Sequence, residues 1–166
     1  MRTGHPLGQR RLLVGVGQFD RISAYGDAVC ARYTNGRLRC WGDERIVDNI
    51  PDETFIRFDL DTNFACGVTE AGNIRCWGYR GPALDSPSDD FGPFLDVSTT
   101  NGNGAGASCA LDVEGNLRCW GANAEANASE NCTPVGGDAV RLWLRKQHWC
   151  SKIMISADGQ LLPWPD

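Results

Sequence analysis

Short runs of alternating apolar and polar residues flank a glycine at several points along the chain. Their spacing predicts β-hairpins rather than helices. In Cys109–Gly121 (CALDVEGNLRCWG) a three-residue loop, Val113-Glu114-Gly115, built as a type I turn closed by a left-handed glycine, pairs Asp112 with Asn116. Going outward, Leu111 then faces Leu117, Ala110 faces Arg118 and Cys109 faces Cys119. A two-residue loop would offset the cysteines, so the longer turn is expected. Side chains alternate across strands. One face therefore carries Cys109, Leu111, Leu117 and Cys119, and the other carries Ala110 and Arg118 with Trp120 two positions on.

The same frame, Cys, five residues, Gly, three residues, Cys-Trp-Gly, recurs at Cys30–Gly42 (CARYTNGRLRCWG) and Cys66–Gly78 (CGVTEAGNIRCWG). A worn copy, Ile153–Pro165 (IMISADGQLLPWP), keeps Gly159 and Trp164 in register but has lost both cysteines. The apolar face persists there as Ile153, Ile155, Leu161 and Pro163, as a core position demands. It is broken once, in the first copy, by Arg32 opposite Leu38. Because both faces carry selected residue types, each hairpin is expected to lie between two neighbours. The chain is thus a repeat protein. Trp41, Trp77, Trp120 and Trp164 are its recurring structural tryptophans.

Between hairpins, Arg21–Ala24, Phe55–Phe58, Phe94–Val97 and Val140–Leu144 read as lead-in strands, and Leu12–Gly17 as a weak one. Residues 1–11 read as a mobile arm, Asp43–Asp52 as a polar connection, and Thr100–Ser108 as a glycine-rich insertion. Units of about 12–42, 43–78, 79–121 and 122–166 each have room for about four short strands, the size of a propeller blade. Low helix content is expected throughout. The fold class is all-β, a propeller-like array of about four blades.

Eight cysteines form an even set. The hairpin register pairs Cys30 with Cys40, Cys66 with Cys76 and Cys109 with Cys119, which leaves Cys132 and Cys150 to bridge each other. Zinc is the competing reading. Zinc sites prefer closely spaced pairs, whereas these pairs are ten apart and the histidines are His5 and His148. Disulfides imply an oxidising compartment, so a secreted, cell-surface or periplasmic location is expected, although no signal peptide is visible. A net charge of −5 with dispersed cations argues against nucleic acid, and no apolar run approaches a membrane span.

The string CAL-x-x-x-G-x-L-x-CWG at Cys109–Gly121 resembles repeats of the regulator of chromosome condensation superfamily, and most of all a bacterial branch in which cysteines flank the hairpin. The resemblance covers four units. It implies a β-propeller, commonly of seven blades, acting as a binding platform. Family roles include nucleotide-exchange factor, β-lactamase inhibitor and interaction module. The tyrosine-glycine-glutamine-leucine-glycine signature after Trp-Gly is eroded here, with Gly121-Ala-Asn123 its best remnant. No family site residue carries over.

Several clusters invite a chemical reading. Arg39/Trp41, Arg75/Trp77 and Arg118/Trp120 form either a cation–π ladder or, as recurrence favours, inter-blade packing. Asp59, Asp61, Asn63 and Glu70 match four positions of a calcium loop, but Phe64 stands where glycine is required and no helices flank it. Asn127-Ala-Ser129 and Asn131-Cys-Thr133 are glycosylation sequons. His5 lies in the arm and His148 beside Trp149 and Cys150, and the cysteines are committed to bridges, so no catalytic site is assigned. Neither metal nor cofactor is expected. The expected function is non-catalytic binding of a protein partner through inter-blade loops, Tyr79, Arg80, Asp85, Asp89 and Asp90 in one and Asn101 and Asn103 in the other. A carbohydrate-binding propeller is the alternative, and a hydrolase using loop carboxylates a third reading. Four units fall short of the usual ring, so the expected outcomes are a fragment of a larger ring, a four-bladed closure, or a ring completed by self-association.

Overall fold

Strand pairing follows the parity of the repeats. The computed structural model describes residues 18–79, 84–100 and 106–121 in full, and the backbone of strands at 139–144, 152–156 and 161–162. Among these residues the strands form four three-stranded antiparallel sheets. The first holds β1 (Phe19–Tyr25), β2 (Ala28–Tyr33) and β3 (Leu38–Gly42). The second holds β4 (Phe55–Leu60), β5 (Phe64–Thr69) and β6 (Ile74–Gly78). The third holds β7 (Phe94–Thr100), β8 (Ala107–Asp112) and β9 (Leu117–Gly121), and the fourth β10 (Ala139–Leu144), β11 (Lys152–Ser156) and β12 (Leu161–Leu162). Three strands per sheet replace the four for which the repeat length leaves room. The arm, Leu12–Gly17, Gly159, Trp164, the sequons, both histidines and the pair Cys132 and Cys150 lie outside the described residues.

Each hairpin takes the expected register. Cys30 faces Cys40, Cys66 faces Cys76 and Cys109 faces Cys119, and all three pairs are disulfide-bonded. In the fourth sheet Ile155 faces Leu161, the same register without the bridge. The loop glycines Gly36, Gly72 and Gly115 hold φ of 83°, 82° and 85°, the left-handed conformation that closes the three-residue turn. The glycine of Cys-Trp-Gly is set by a close approach. A Cβ on Gly42 would lie 1.8 Å from the Asp27 carbonyl oxygen, and one on Gly121 would lie 2.5 Å from that of Gly106.

The first strand of each sheet lies innermost, with β4 against β1 and β7, and β7 against β10. All four inner strands are bulged one residue in, between Phe19 and Arg21, Phe55 and Arg57, Phe94 and Asp96, and Ala139 and Arg141. A bulge increases local twist, and its recurrence gives every blade the same bend at the start of its inner strand.

The two hairpin faces meet in a fixed sense. The disulfide face of the first blade (Ala28, Cys30, Cys40) packs on the tryptophan face of the second (Phe55, Phe58, Leu60, Ala65, Trp77). The disulfide face of the second (Phe64, Cys66, Val68, Ile74) packs on the tryptophan face of the third (Val97, Ala110, Trp120, with Phe94). β5 and β8, covered on both faces, are buried throughout. The connection read as polar at Asp43–Asp52 carries a helix, α1 (Glu44–Val47), capped by Asp43, and it delivers Ile46 fully buried into the first interface.

Candidate interaction site

Hairpin tips and the starts of inner strands gather at one end of the array. Each inner strand is hooked onto the preceding blade there. The amide of Phe55 donates to the Gly36 carbonyl and that of Phe94 to the Gly72 carbonyl, both at 2.8 Å. Arg75, near the start of β6, spans the same end. Its Nε donates to Glu53 Oε1 at 3.0 Å, while Nη1 and Nη2 donate to the two oxygens of Asp89 at 2.8 and 3.2 Å. Charge-assisted bonding from Arg75 holds the Asp89 carboxyl below its usual range, and the carboxylates of Asp89 and Glu53 raise the Arg75 guanidinium above its own.

This clamp fixes a 3-10 turn at Asp89–Phe91, whose N-cap Ser88 accepts from the Asp90 amide. The turn presents the Phe91 ring 48% exposed, with the Arg118 guanidinium 4.2 Å from the ring centre. Val113, at a hairpin tip and 51% exposed, donates its amide to the Pro93 carbonyl and so shares this edge. On the other side of Glu53 lies a groove of about 380 Å³, lined by Arg37, Asp52, Thr54, Thr69, Glu70 and Asn73 among others. Arg37 is ion-paired with Asp52, which leaves the lining acidic on balance.

Residues grouped in sequence as one binding loop are separated here. Tyr79 is at the opposite end, where its amide donates to the Asn63 carbonyl at 2.7 Å and Arg45 stands 5.7 Å from its exposed ring. Asp89 and Asp90 are on the hairpin end, Asp89 in the Arg75 clamp and Asp90 accepting from Ser88 Oγ. Asp85 is exposed between them in the chain. Arg80, Asn101 and Asn103 lie outside the described residues. Sequence reading did not single out Phe91 or Val113. The signal available for Phe91 was an aromatic residue within an otherwise polar, proline-containing loop.

The arginine–tryptophan pairs divide. Trp77 and Trp120 are buried between blades, as packing requires. Arg75 turns to its clamp and Arg118 to Phe91, and only Arg39 lies over its own tryptophan, 5.2 Å from the Trp41 ring. The carboxylates that mimic a calcium loop are used by the scaffold. Asp59 accepts from Ser23 on the first blade and from Ser98 and Thr99 on the third, and Asp61 is fully buried. Arg32, the polar intruder on an apolar face, donates to the carbonyls of Phe55 and Ile56 at 3.0 and 2.7 Å and is ion-paired to Asp20. It thereby ties the bulge of the second blade to that of the first.

At the level of sequence, no family model and no curated protein matches the chain. Solved structures do. The CRINKLY WD40 ectodomain of the Arabidopsis thaliana receptor kinase ACR4 superposes with a TM-score of 0.63 at 22% identity, over 84% of this chain and 47% of that one. The ectodomain of the Physcomitrella patens receptor kinase CR4 gives 0.66 at 18% identity, over 89% of this chain and 40% of that one. Prp20p of Saccharomyces cerevisiae, a protein with binding properties to Gsp1p and histones, gives 0.58 at 13% identity, over 84% and 42%. The fold is a β-propeller arrangement. The chain spans less than half the length of each of these propeller proteins.

Proposed function

We propose that this propeller array is a non-catalytic protein-interaction module that binds through its hairpin end. The observation that carries the reading is the pairing of Phe91 and Val113, both about half exposed, with an acidic-lined groove across the Arg75 clamp. Apart from Tyr79 at the opposite end, no other large apolar side chain of the second and third blades is exposed among the described residues, so these two are surplus to the scaffold at the hairpin end. Rigid aromatic anchors beside a polar groove are the composition of a protein-binding patch. Asp52 and Glu53 are already ion-paired to Arg37 and Arg75, so Glu70 is the lining carboxylate that favours a basic residue next to an apolar one in the partner segment. The binding of Gsp1p and histones by Prp20p supports the class of function and no particular partner.

The repeat frame supports placement in the regulator of chromosome condensation superfamily, in its cysteine-containing branch. Three cross-strand disulfides support work in an oxidising, secreted or cell-surface setting. Affinity capture from the source organism's extracellular fraction, comparing wild type with Phe91→Ala/Val113→Asp, tests the reading. A partner retained by wild type and lost by the double variant supports it. A partner held equally by both, or none held by either, overturns it.

A further inference from the structure

Two guanidinium groups converge where the second inner strand begins. Ile56 is the unpaired residue of the bulge there, so its carbonyl is free to accept from side chains. Arg32, from the first blade, donates Nη1 to that oxygen at 2.7 Å. Arg57, from the second blade, donates its own Nη1 to the same oxygen at 2.9 Å. Arg21 holds in the first blade the register place that Arg57 holds in the second. It lies opposite Arg32 across the strand pair and adds a third positive charge.

The cations are unequally served. Arg32 donates Nε and Nη2 to the two oxygens of Asp20, whose carboxyl is held below its usual range by those bonds and, less, by the charge of Arg21. Hydrogen bonding to Asp20, with Glu70 acting at longer range, in turn raises the Arg32 guanidinium above its usual value. Arg57 is ion-paired to no carboxylate among the described residues. Asp59, two positions along the strand, gives its oxygens to Ser23, Ser98 and Thr99 instead. The Nε–H of Arg57 is buried without a hydrogen-bond partner, and its Nη2, equally without one, reaches solvent. Nε and Nη2 form one edge of the planar fork, the edge by which Arg32 grips Asp20. Arg57 thus repeats the posture of Arg32, with Nη1 on a backbone carbonyl, but no described side chain fills its edge. A buried donor on a charged group calls for an acceptor.

We infer that Arg57 is the centre of an oxyanion site, which takes a carboxylate, phosphate or sulfate group side-on through Nε and Nη2. An oxygen arriving at Nη2 brings its twin beside Nε, the pairing in which guanidinium forks hold such groups. Arg32 and Arg21 supply the surrounding positive charge. The site lies on the inner strand of the second blade and does not rest on a partner bound at Phe91 and Val113.

Calorimetric titration and thermal melts of the oxidised chain test this, with sodium phosphate, sulfate or acetate replacing sodium chloride at constant ionic strength. At least one of the three should bind saturably and raise the thermal midpoint. A response to acetate alone marks a carboxylate ligand, and one to phosphate or sulfate a tetrahedral one. Arg57→Gln should abolish the response. Arg57→Lys, which keeps the charge and loses the fork, should weaken it at least about tenfold. Arg45→Gln, at the opposite end, should leave it unchanged. The Nε–H resonance of Arg57 in the folded wild type, assigned by its loss in Arg57→Lys, should move with the same anion, so the inference does not hang on the glutamine variant folding. An unmoved resonance, a response that persists in Arg57→Gln, or no saturable response to any of the three anions would overturn it.

Discussion

The carboxylate of Asp59, on the inner strand of the second blade, accepts the backbone N–H of Thr99, on the inner strand of the third, at 3.0 Å. The same oxygen accepts from Ser98 Oγ at 3.1 Å, and its twin accepts from Ser23 Oγ on the first blade at 3.2 Å. Ser23, Asp59 and Ser98 are register equivalents, each opposite the first cysteine of its hairpin. One side chain therefore ties three inner strands together. Asp59→Ala removes an acceptor shared by the Thr99 amide and the hydroxyls of Ser23, Ser98 and Thr99, and is expected to cost about 2–3 kcal/mol in urea unfolding of the oxidised protein. Asp85→Ala, at an exposed loop position, is expected to stay within about 0.5 kcal/mol. Equal effects would mean that Asp59 is not a tie.

Arg32 stands where the other hairpins place Val68 and Leu111, so Arg32→Leu restores the apolar pattern. It also removes the donors to the Phe55 and Ile56 carbonyls, which are 23 and 24 residues away in sequence. The structure favours the second effect. The leucine variant is expected to lose about 1–3 kcal/mol, and Arg32→Lys to recover little, because an ammonium lacks the planar fork that reaches two carbonyls and Asp20 together. A leucine variant as stable as wild type in chemical denaturation would show that the apolar pattern outweighs the caps.

The hairpins and their register were legible because each depends on residues within a dozen positions. Cysteines placed symmetrically about the residue before the glycine admit one turn length, and the apolar face then follows from parity. What escaped depends on contacts made across blades. The bulge after Phe19, Phe55 and Phe94 adds a residue (Asp20, Ile56, Leu95) that destroys the period of two, so the first lead-in strand was read as starting at Arg21 instead of Phe19. A phenylalanine recurring at that place was the available signal. Asp59 read as a calcium-loop fragment because its partners lie on neighbouring blades, 36 to 40 residues away. The helix holding Ile46 has four residues, too few to show a period. The loop from Tyr79 to Pro93 read as one surface, and only the Arg75 clamp reveals that it runs from one end of the array to the other.

Acid is expected to weaken the array through its arginine-bonded carboxylates. Hydrogen bonds from Arg32, Arg45 and Arg75 lower the pKa of Asp20, Asp43 and Asp89 from the ordinary value of 3.8. Because the folded-state values are depressed, the stabilisation is fully present above the unfolded value. It is lost as pH falls through the folded ones. Urea midpoints should therefore be level from about pH 7 to about pH 5 and fall below about pH 4, with a shallower fall in Asp89→Asn. Asp89 is exposed and Asp20 partly so, and their share of the slope should flatten further at high salt. A midpoint that rises on acidification would contradict the assignment.

Gly67 is a glycine for reasons of packing rather than backbone. A Cβ there would lie 2.5 Å from Cδ1 of Phe55, whose ring is fully buried against Trp77 with centroids 5.6 Å apart. The equivalent positions in the first and third blades hold Ala31 and Ala110. Gly67→Ala thus makes the second hairpin more like its neighbours yet is expected to destabilise by about 1–3 kcal/mol through overpacking. Phe55→Leu in the same chain should recover part of that loss, and a double-mutant cycle reads the coupling.

The three disulfides stabilise unequally because their surroundings differ. Each closes a loop with a sequence separation of 10, for which the entropic contribution is at most about 2.5 kcal/mol. Packing then separates them. Cys30 and Cys40 are both buried, at 0% and 6% exposure, in the joint between the first and second blades, whereas Cys76 and Cys119 are only partly buried. Replacing Cys30 and Cys40 together by alanine opens a cavity inside that joint as well as the loop, and should lower the thermal midpoint more than replacing Cys109 and Cys119. Graded reduction read by mass spectrometry after alkylation should trap Cys30–Cys40 last, since attack by thiolate requires access to the sulfur. Simultaneous release of all three would mean that the first joint shields its bridge no better than the others.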